Sequence, residues 1–185
     1  MNRTLHLYHT GYQQLRTIDV HFGRKNADFG QGFYTSDNIA FAKRWARERK
    51  GSETVINTYE LITDELNILH LERDTVWFDY IRQNRAGKPD QYPEADVIIG
   101  PIANDTLFDT FGIITSGILS AQQSLSLLKI GPLYEQIVLK SETAAHHLKW
   151  ISSEILTAEE MERYREMVKE EERSYQEAFA RFLAE

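Results

Sequence analysis

Three short segments of the chain carry side chains that together could bind a polar, ring-containing ligand and stabilise positive charge on it. They read LYHTG at residues 7–11, DFGQGFYTSD at residues 28–37 and LYEQIV at residues 133–138. A histidine forms hydrogen bonds to hydroxyl groups, an aromatic face stacks on a flat ring, and a carboxylate stabilises a cation that develops during bond cleavage. Glycine beside such groups lets a ligand approach the backbone closely. The three segments therefore predict one binding or catalytic site.

Each of these residues also has a purely structural explanation. His9 could satisfy backbone groups at the end of a strand, and Glu135 could be a solvated strand residue. Tyr34 and Trp45 could be ordinary core aromatics, and glycines alone could only mark turns. Their occurrence together, in order and each in a suitable local sequence, favours a functional site.

The motifs of several other sites are missing. The sequence has no cysteine, which excludes disulfide frameworks, iron–sulfur clusters, thiol nucleophiles and zinc sites built on cysteine. It has neither a G-x-S-x-G elbow nor a G-x-x-x-x-G-K phosphate loop. His146 and His147 are adjacent, and because neighbouring side chains diverge, we do not expect them to share a metal ion. No metal site is predicted.

The three segments resemble, in order and type, the motifs of the ADP-ribosyltransferase superfamily in its His–Tyr–Glu branch. That branch includes the poly-ADP-ribose polymerases and the diphtheria-toxin-like enzymes. Further segments, VINTY at residues 55–59, WFD at 77–79 and DVIIGPIA at 96–103, make approximately residues 4–151 similar to bacterial domain-of-unknown-function family 3990, assigned to this superfamily. The resemblance implies an α+β fold with split antiparallel β-sheets, flanking helices and, in this chain, an added C-terminal amphipathic helix.

The resemblance also implies a role for each matching residue. Glu135 would be the catalytic carboxylate, His9 would bind a ribose of NAD+, and Tyr34 would stack on the nicotinamide. Trp45 lies eleven residues after Tyr34, where the polymerase branch has its second stacking aromatic. The residues that the resemblance assigns to NAD+ binding are His9, Thr10, Gly11, Arg24, Gly32, Phe33, Tyr34, Trp45 and Gln136. Thr10 stands where relatives have glycine, and Lys25 is a second candidate beside Arg24 for the diphosphate.

The sequence leaves open which residue of the pair Glu135 and Gln136 faces the cleft. Successive residues of a strand point to opposite faces, so only one of the two can do so. Alignment with the family motif favours Glu135. With Gln136 inward, the ribose could still be bound, but stabilisation of positive charge would be weaker.

The function implied is that of an NAD+-dependent mono-ADP-ribosyltransferase that modifies a protein or a nucleic acid. Such an enzyme could be the toxin of a bacterial toxin–antitoxin or defence pair. With water as acceptor it would be an NAD+ glycohydrolase. Without turnover, the same fold would be a module that binds NAD+, ADP-ribose or a protein partner. The absence of a Glu-x-Glu pair argues against the arginine-modifying branch, and the chemistry requires no metal.

Hydrophobic spacing predicts the elements that must position these segments. Strands are predicted at residues 4–9, 54–61, 66–71, 96–101, 135–140 and 148–151. Helices are predicted from a cap at Ser36 or Asp37 as far as Gly51, and at residues 74–84, 105–111 and 120–128. The order of these elements is typical of an α+β protein.

The C-terminal tail differs from the rest in charge and pattern. A capping box, TAEE at residues 157–160, precedes apolar residues spaced by three, four or seven, which predicts an amphipathic helix in one or two pieces. Residues 157–185 hold nine Glu against five Lys and Arg, so most of the net charge of −7 lies there. We expect a transferase-like domain at residues 1–152 and an acidic extension at 153–185. Packing of this helix on its own domain is favoured over a surface for an antitoxin or a second copy.

Composition indicates the broad class of protein. A hydrophobic fraction of 42% is enough for a core, and no window approaches the roughly 18 apolar residues of a membrane helix. The N-terminus lacks an apolar signal stretch, so we expect a cytoplasmic protein with no membrane contact. The net negative charge does not attract nucleic acid, and the basic cluster at residues 43–50 is more often a solvated helix face than a nucleic-acid site.

Overall fold

The computed structural model describes residues 4–102 and 133–184, which form two β-sheets flanked by helices. The first sheet contains β1 (Thr4–Gly11), β3 (Val55–Ile62) and β7 (Leu148–Ile155) in the order β1-β3-β7. Both pairs of adjacent strands in this sheet are antiparallel. β3 is rich in β-branched and aromatic residues, as expected for a central strand.

The second sheet contains β2 (Phe33–Thr35), β6 (Glu135–Leu139), β5 (Val97–Pro101) and β4 (Ile68–His70), in that order. β2, β6 and β5 are antiparallel neighbours, whereas β4 and β5 are parallel. A parallel pair needs a long crossover connection, and α2 (Thr75–Arg85) lies within that connection. The second sheet is therefore mixed, and the expectation that both sheets are antiparallel throughout was wrong for this pair.

Buried side chains from both sheets form one core between them. Its members include Leu7, Phe33, Tyr59, Leu61, Val97, Ile99, Ile137 and Leu139. In β1 the odd-numbered residues face this core, and in β6 Ile137 and Leu139 do so. We call this side of each sheet the inner face. Strand alternation then decides which candidate site residues can meet between the sheets.

The outer faces are covered by helices. α2 packs Trp77, Tyr80 and Ile81 against the outer face of the second sheet. The outer face of the first sheet is covered by α1 (Ile39–Arg44) and by the first turns of α4 (Ala158–Ala184). Ala42 and Ile56 are fully buried in that layer. The order of layers is thus helix, sheet, sheet, helix.

The helix starts are explained by side-chain caps. Asp74 caps α2, and its side chain accepts hydrogen bonds from the backbone N–H groups of Val76 and Trp77. Thr157 and Glu160 form the predicted capping box at the start of α4. The cap of α1 is Asn38, whose Oδ1 accepts from the Phe41 N–H at 3.1 Å, and not Ser36 or Asp37 as expected. A short helix, α3 (Glu142–His146), was not predicted.

The predicted end of β7 and the predicted domain boundary both differ from the structure. β7 continues to Ile155, so the boundary expected at residue 152 lies inside a strand of the first sheet. α4 is one uninterrupted helix from residue 158 to 184. The helices predicted at residues 105–111 and 120–128 lie outside the described residues. Within the described residues, no helix combines the length and the apolar character needed to span a membrane.

Candidate functional site

The two sheets are joined at Ser36, which directly follows β2. Its backbone exchanges two hydrogen bonds with Tyr8 of β1, with N–O distances of 2.8 and 3.0 Å. Its hydroxyl donates to the carbonyl oxygen of Glu135 at 3.0 Å. Because Tyr8 precedes His9 and Ser36 follows Tyr34 closely, the three segments identified in the sequence meet at this junction.

His9 is held in one protonation and tautomeric state. Its Nδ1 lies 2.8 Å from the carbonyl oxygen of Tyr34. A carbonyl only accepts, so Nδ1 carries the proton. Burial lowers the pKa of His9 below its ordinary value of 6.5, more than the hydrogen bond to Tyr34 raises it. The neutral ring therefore presents Nε2 as a hydrogen-bond acceptor.

The surroundings of His9 explain why residue 33 is aromatic and why residue 11 is glycine. Its ring packs on Phe33 with the ring centroids 4.5 Å apart, and Phe33 is buried in the inner core. A Cβ added at Gly11 would lie 3.3 Å from Nε2 of His9. Glycine therefore keeps the accepting atom of His9 uncrowded.

Glu135 and Gln136 point to opposite sides of the second sheet. Alternation places Glu135 on the inner face with Ile137 and Leu139, at the end of the strand, where it is exposed. No described residue forms an ion pair with its carboxylate. Gln136 is 3% exposed and lies on the outer face, and its Nε2 has no hydrogen-bond partner among the described residues. The register thus places Glu135 on the inner face of the second sheet and Gln136 on its outer face, and the contact of either residue with NAD+ stays a prediction.

Tyr34 also lies on the outer face of the second sheet. It pairs with Val138 across β2 and β6, and its ring packs beside the cluster under α2. Its hydroxyl donates to the carbonyl oxygen of Gly30 at 2.8 Å and accepts from the N–H of Phe29 at 2.9 Å. Burial raises the pKa of Tyr34 well above its usual range, so the hydroxyl stays protonated. The ring is half-buried, and its stacking on nicotinamide stays a prediction.

A buried charged cluster that sequence reasoning missed fixes the turn to which Tyr34 is bonded. Lys140 donates to the carbonyl oxygen of Phe29 and forms an ion pair with Asp90 at 3.0 Å. Tyr80 donates to Asp90 at 2.9 Å. Burial raises the pKa of Asp90, but the N–H of Tyr92 and the charge of Lys140 lower it more, and the net shift is downward. We call Lys140, Asp90 and Tyr80 the turn clamp.

Asn57 is a second functional candidate that the sequence did not single out. It is fully buried and pairs directly with His9 across β1 and β3. Its amide accepts from the N–H of Leu15 and donates to the carbonyl oxygen of Gln13. Tyr59 donates to the carbonyl oxygen of Leu15 at 2.8 Å. These bonds fix the loop that follows Gly11, beside the His9 ring. The only sequence signal was a polar residue inside the β-branched run of β3.

Trp45 directly follows α1 and belongs to a column of stacked side chains. Its ring packs edge-on against Phe41 at 4.8 Å, and Phe41 stacks on Tyr134 with the ring centroids 4.6 Å apart and the planes 12° apart. The guanidinium of Arg44 lies 4.8 Å from the centre of the Tyr134 ring. Tyr134 precedes Glu135, so the column connects Trp45 to the candidate catalytic residue.

The remaining residues predicted to bind NAD+ lie in different parts of the structure. The hydroxyl of Thr10 donates to a carbonyl oxygen of α1, so this side chain faces away from the inner core. A Cβ at Gly32 would lie 2.6 Å from Cγ1 of Val138, so glycine is required there by packing. Arg24 and Lys25 are exposed in the loop between β1 and β2. The charge of Arg24 acts on the Tyr34 hydroxyl, and its binding of a diphosphate stays a prediction.

The structure therefore places His9 on the inner face of the first sheet and Glu135 on the inner face of the second, and it puts Phe33 against the His9 ring. Tyr34 and Gln136 lie on the other face of the second sheet, and Trp45 reaches Glu135 only through its neighbours. Among residues 4–102 and 133–184, no group of three histidine, aspartate or glutamate side chains is arranged to hold a metal ion.

Comparison with models of protein families identifies a family that matches most of the chain. The model of the family described as "Protein of unknown function (DUF3990)" matches residues 5–150, which run from β1 into β7. No curated protein and no solved structure matches the chain significantly. The matched range contains all three segments that meet at Ser36 and leaves α4 outside. The chain therefore belongs to the family DUF3990.

Proposed function

We propose that the protein is an NAD+-dependent ADP-ribosyltransferase, which cleaves the nicotinamide–ribose bond and transfers ADP-ribose to a macromolecule. One observation carries the proposal: His9 and the exposed Glu135 lie on the inner faces of the first and the second sheet, and Ser36 links their strands. Nε2 of His9 has no hydrogen-bond partner among the described residues. The resemblance of the surrounding motifs to the superfamily supplies the substrate. We also propose that the enzyme acts in the cytoplasm.

His9 is suited to binding ribose. Because Nδ1 is committed to the Tyr34 carbonyl, Nε2 can accept a hydrogen bond from a ribose hydroxyl. The lowered pKa keeps the ring neutral at physiological pH, so it does not repel the cationic nicotinamide. Gly11 leaves space beside Nε2 for the sugar.

Glu135 is suited to stabilising the cleavage. The bond between ribose C1′ and the nicotinamide nitrogen breaks, and its electron pair leaves with neutral nicotinamide. The ribose then carries oxocarbenium-like positive charge, which a nearby carboxylate stabilises. A nucleophilic atom of the acceptor bonds to C1′ and releases its proton to solvent. The resemblance assigns stacking on the nicotinamide ring to Trp45 and Tyr34. Of these, Tyr34 lies on the outer face of the second sheet, opposite the side on which Glu135 lies.

The test compares two matched variants of the purified protein. With NAD+ present, the wild type should release nicotinamide, measured by chromatography. Glu135→Gln should lower the rate at least about a hundredfold, the scale of losing one group that stabilises transition-state charge. Glu154→Gln, at an exposed strand position of β7, is the control and should retain the wild-type rate.

The products separate the alternatives. Label from NAD+ on protein or nucleic acid in a cell extract supports transfer, whereas free ADP-ribose equal to the nicotinamide released identifies a glycohydrolase. NAD+ binding by calorimetry without nicotinamide release would identify a binding module. Absence of binding at millimolar NAD+ would overturn the proposal.

A further inference from the structure

We propose that Glu171 of the C-terminal helix is a positioning residue of the candidate site, acting on Glu135 through Tyr134 and on Trp45 through Arg44. This inference rests on the proposed function, which assigns roles to Glu135 and Trp45. It makes α4, which lies outside the matched family range, part of the machinery that the site requires.

One carboxylate makes both contacts. Oε1 of Glu171 accepts a hydrogen bond from the Tyr134 hydroxyl at 2.9 Å. Oε2 of Glu171 forms an ion pair with Nη2 of Arg44. Tyr134 directly precedes Glu135 and Arg44 directly precedes Trp45, so a single side chain restrains the backbone next to both site residues.

The restrained side chains are packed against one another as well. Phe41 stacks on the Tyr134 ring, and the Arg44 guanidinium lies close to the same ring. Trp45 packs on Phe41. Movement of Tyr134 would therefore disturb both Trp45 and Glu135, because close-packed side chains transmit a displacement to their neighbours.

Charge and burial explain why Glu171 is needed at this position. Arg44 is 8% exposed, and its Nε and Nη1 have no hydrogen-bond partner among the described residues. Within that part of the chain, Glu171 is the carboxylate that balances this buried cation. A buried charge without a partner is strongly unfavourable, so the pair fixes the axial position of α4 on α1.

The position of Glu171 along α4 supports the same conclusion. The buried side of the helix runs through Met161, Tyr164, Val168 and Tyr175 at helical spacing. Glu171 lies between Val168 and Tyr175 on that side, where an apolar residue would be expected. A carboxylate at this place serves the ion pair and not solubility.

The first arm of the test uses steady-state nicotinamide release. Tyr134→Phe removes the bond to Glu171 but retains the ring and the Arg44 ion pair, so it should fold. We expect kcat to fall about tenfold with KM for NAD+ unchanged, because small displacements of a reacting group affect the chemical step. Tyr164→Phe, which removes a buried-helix hydroxyl bonded to Arg163, is the matched control and should change neither value.

The second arm does not depend on activity. Glu171→Gln leaves an acceptor for Tyr134 but removes the charge opposite Arg44. Amide hydrogen exchange should then accelerate at residues 134–136 and 41–46, and Glu170→Gln, at an exposed site on the same helix, should leave both segments unchanged. A wild type that releases no nicotinamide would defeat the proposed function, while exchange would still decide whether Glu171 restrains these segments. Unchanged exchange, or an unchanged kcat in an active Tyr134→Phe variant, would overturn the inference.

Discussion

If His9 binds ribose as proposed, its tautomer connects ligand recognition to the second sheet. The proton on Nδ1 is donated to the Tyr34 carbonyl, which belongs to β2, while the lone pair on Nε2 accepts no hydrogen bond from any described residue. A ribose hydroxyl bound at Nε2 would therefore be oriented by the position of β2 and not by β1 alone. Lysine or arginine at residue 9 could not substitute, because neither can accept a hydrogen bond.

The lowered pKa of His9 predicts how stability depends on pH. The folded state binds the proton more weakly than the unfolded chain, so the contribution of His9 to the free energy of unfolding is complete above its unfolded pKa of 6.5 and is lost as the pH falls through the folded value. Urea unfolding between about pH 7 and about pH 5 should show a decrease for the wild type and a smaller one for His9→Gln. His6→Gln, at an exposed histidine of the same strand, should retain the wild-type slope because His9 is intact. Equal slopes for wild type and His9→Gln would contradict this prediction.

The candidate residues on the first and third segments could be predicted from their order and spacing. The tautomer of His9 and the turn clamp could not, because both depend on partners distant in sequence: Lys140 bonds to Phe29 across 111 residues. The choice between Glu135 and Gln136 needed the register of β6, which strand pairing determines. A residue's type indicates what it can do, whereas its face and partners follow from the assembled sheets.

At the scale of elements, β2 is a short edge strand that depends on close contact with β6. It has three paired residues, and the preceding Gly32 approaches β6 so closely that a Cβ would lie 2.7 Å from the Leu139 carbonyl oxygen. Thr35 adds a side-chain bond to the Ile137 carbonyl oxygen at 2.6 Å. The position of the Tyr34 carbonyl oxygen, to which His9 donates, thus depends on the contact between β2 and β6.

Gly32→Ala should therefore destabilise the fold. We expect a loss of about 3 kcal/mol in the free energy of unfolding, since the added methyl group would overlap both Val138 and the backbone of β6. Gly51→Ala is the matched control: nothing lies within 4 Å of its Cβ, and its φ of 78° should cost only about 1 kcal/mol. Denaturant titration measures both values. A loss at Gly32 no larger than that at Gly51 would show that β2 can move away from β6 at little cost.

Most elements could be predicted from local pattern, and the exceptions have physical causes. The β-branched run of β3 and the Asp74 cap of α2 are local signals. The cap of α1 is Asn38 and not Ser36, because Ser36 makes other hydrogen bonds. Its backbone pairs with Tyr8, and its hydroxyl donates to the carbonyl oxygen of Glu135. The parallel pairing of β4 with β5 is a tertiary result that no local pattern encodes.

At the scale of the molecule, α4 is integrated and not appended. Tyr164 and Tyr175 are 8% and 4% exposed, and Lys43 and Arg44 of α1 pair with Glu160 and Glu171. Packing of the helix on its own domain, the favoured expectation, is what the structure shows. The acidic charge of the tail includes two carboxylates that neutralise cations of α1.

Deletion of residues 157–185 should consequently destabilise the whole domain. The deletion would expose the apolar layer around Ile56 and leave Arg44 without its counter-charge, and we expect a thermal midpoint lower by about 10 °C or more. A variant with Glu159, Glu166 and Glu172 changed to Gln removes exposed charge but retains the buried side of the helix. Its midpoint should match the wild type. A truncated protein as stable as the full chain would instead identify α4 as a separable attachment.

The strand order also determines when an active molecule can exist during translation. β1 and β3, which pair with each other, are both early in the chain. β2 can pair only after β6 has been synthesised, and Ile137, the partner of Thr35, is 102 residues further along the chain. At about 5–20 residues per second, that interval lasts on the order of 5–20 s, during which His9 and Tyr34 are made but their partner strand is not. If the protein cleaves NAD+ as proposed, nascent chains are inert until β6 is made. If α4 restrains Glu135 as proposed, full activity also requires α4, which follows β6 in the chain.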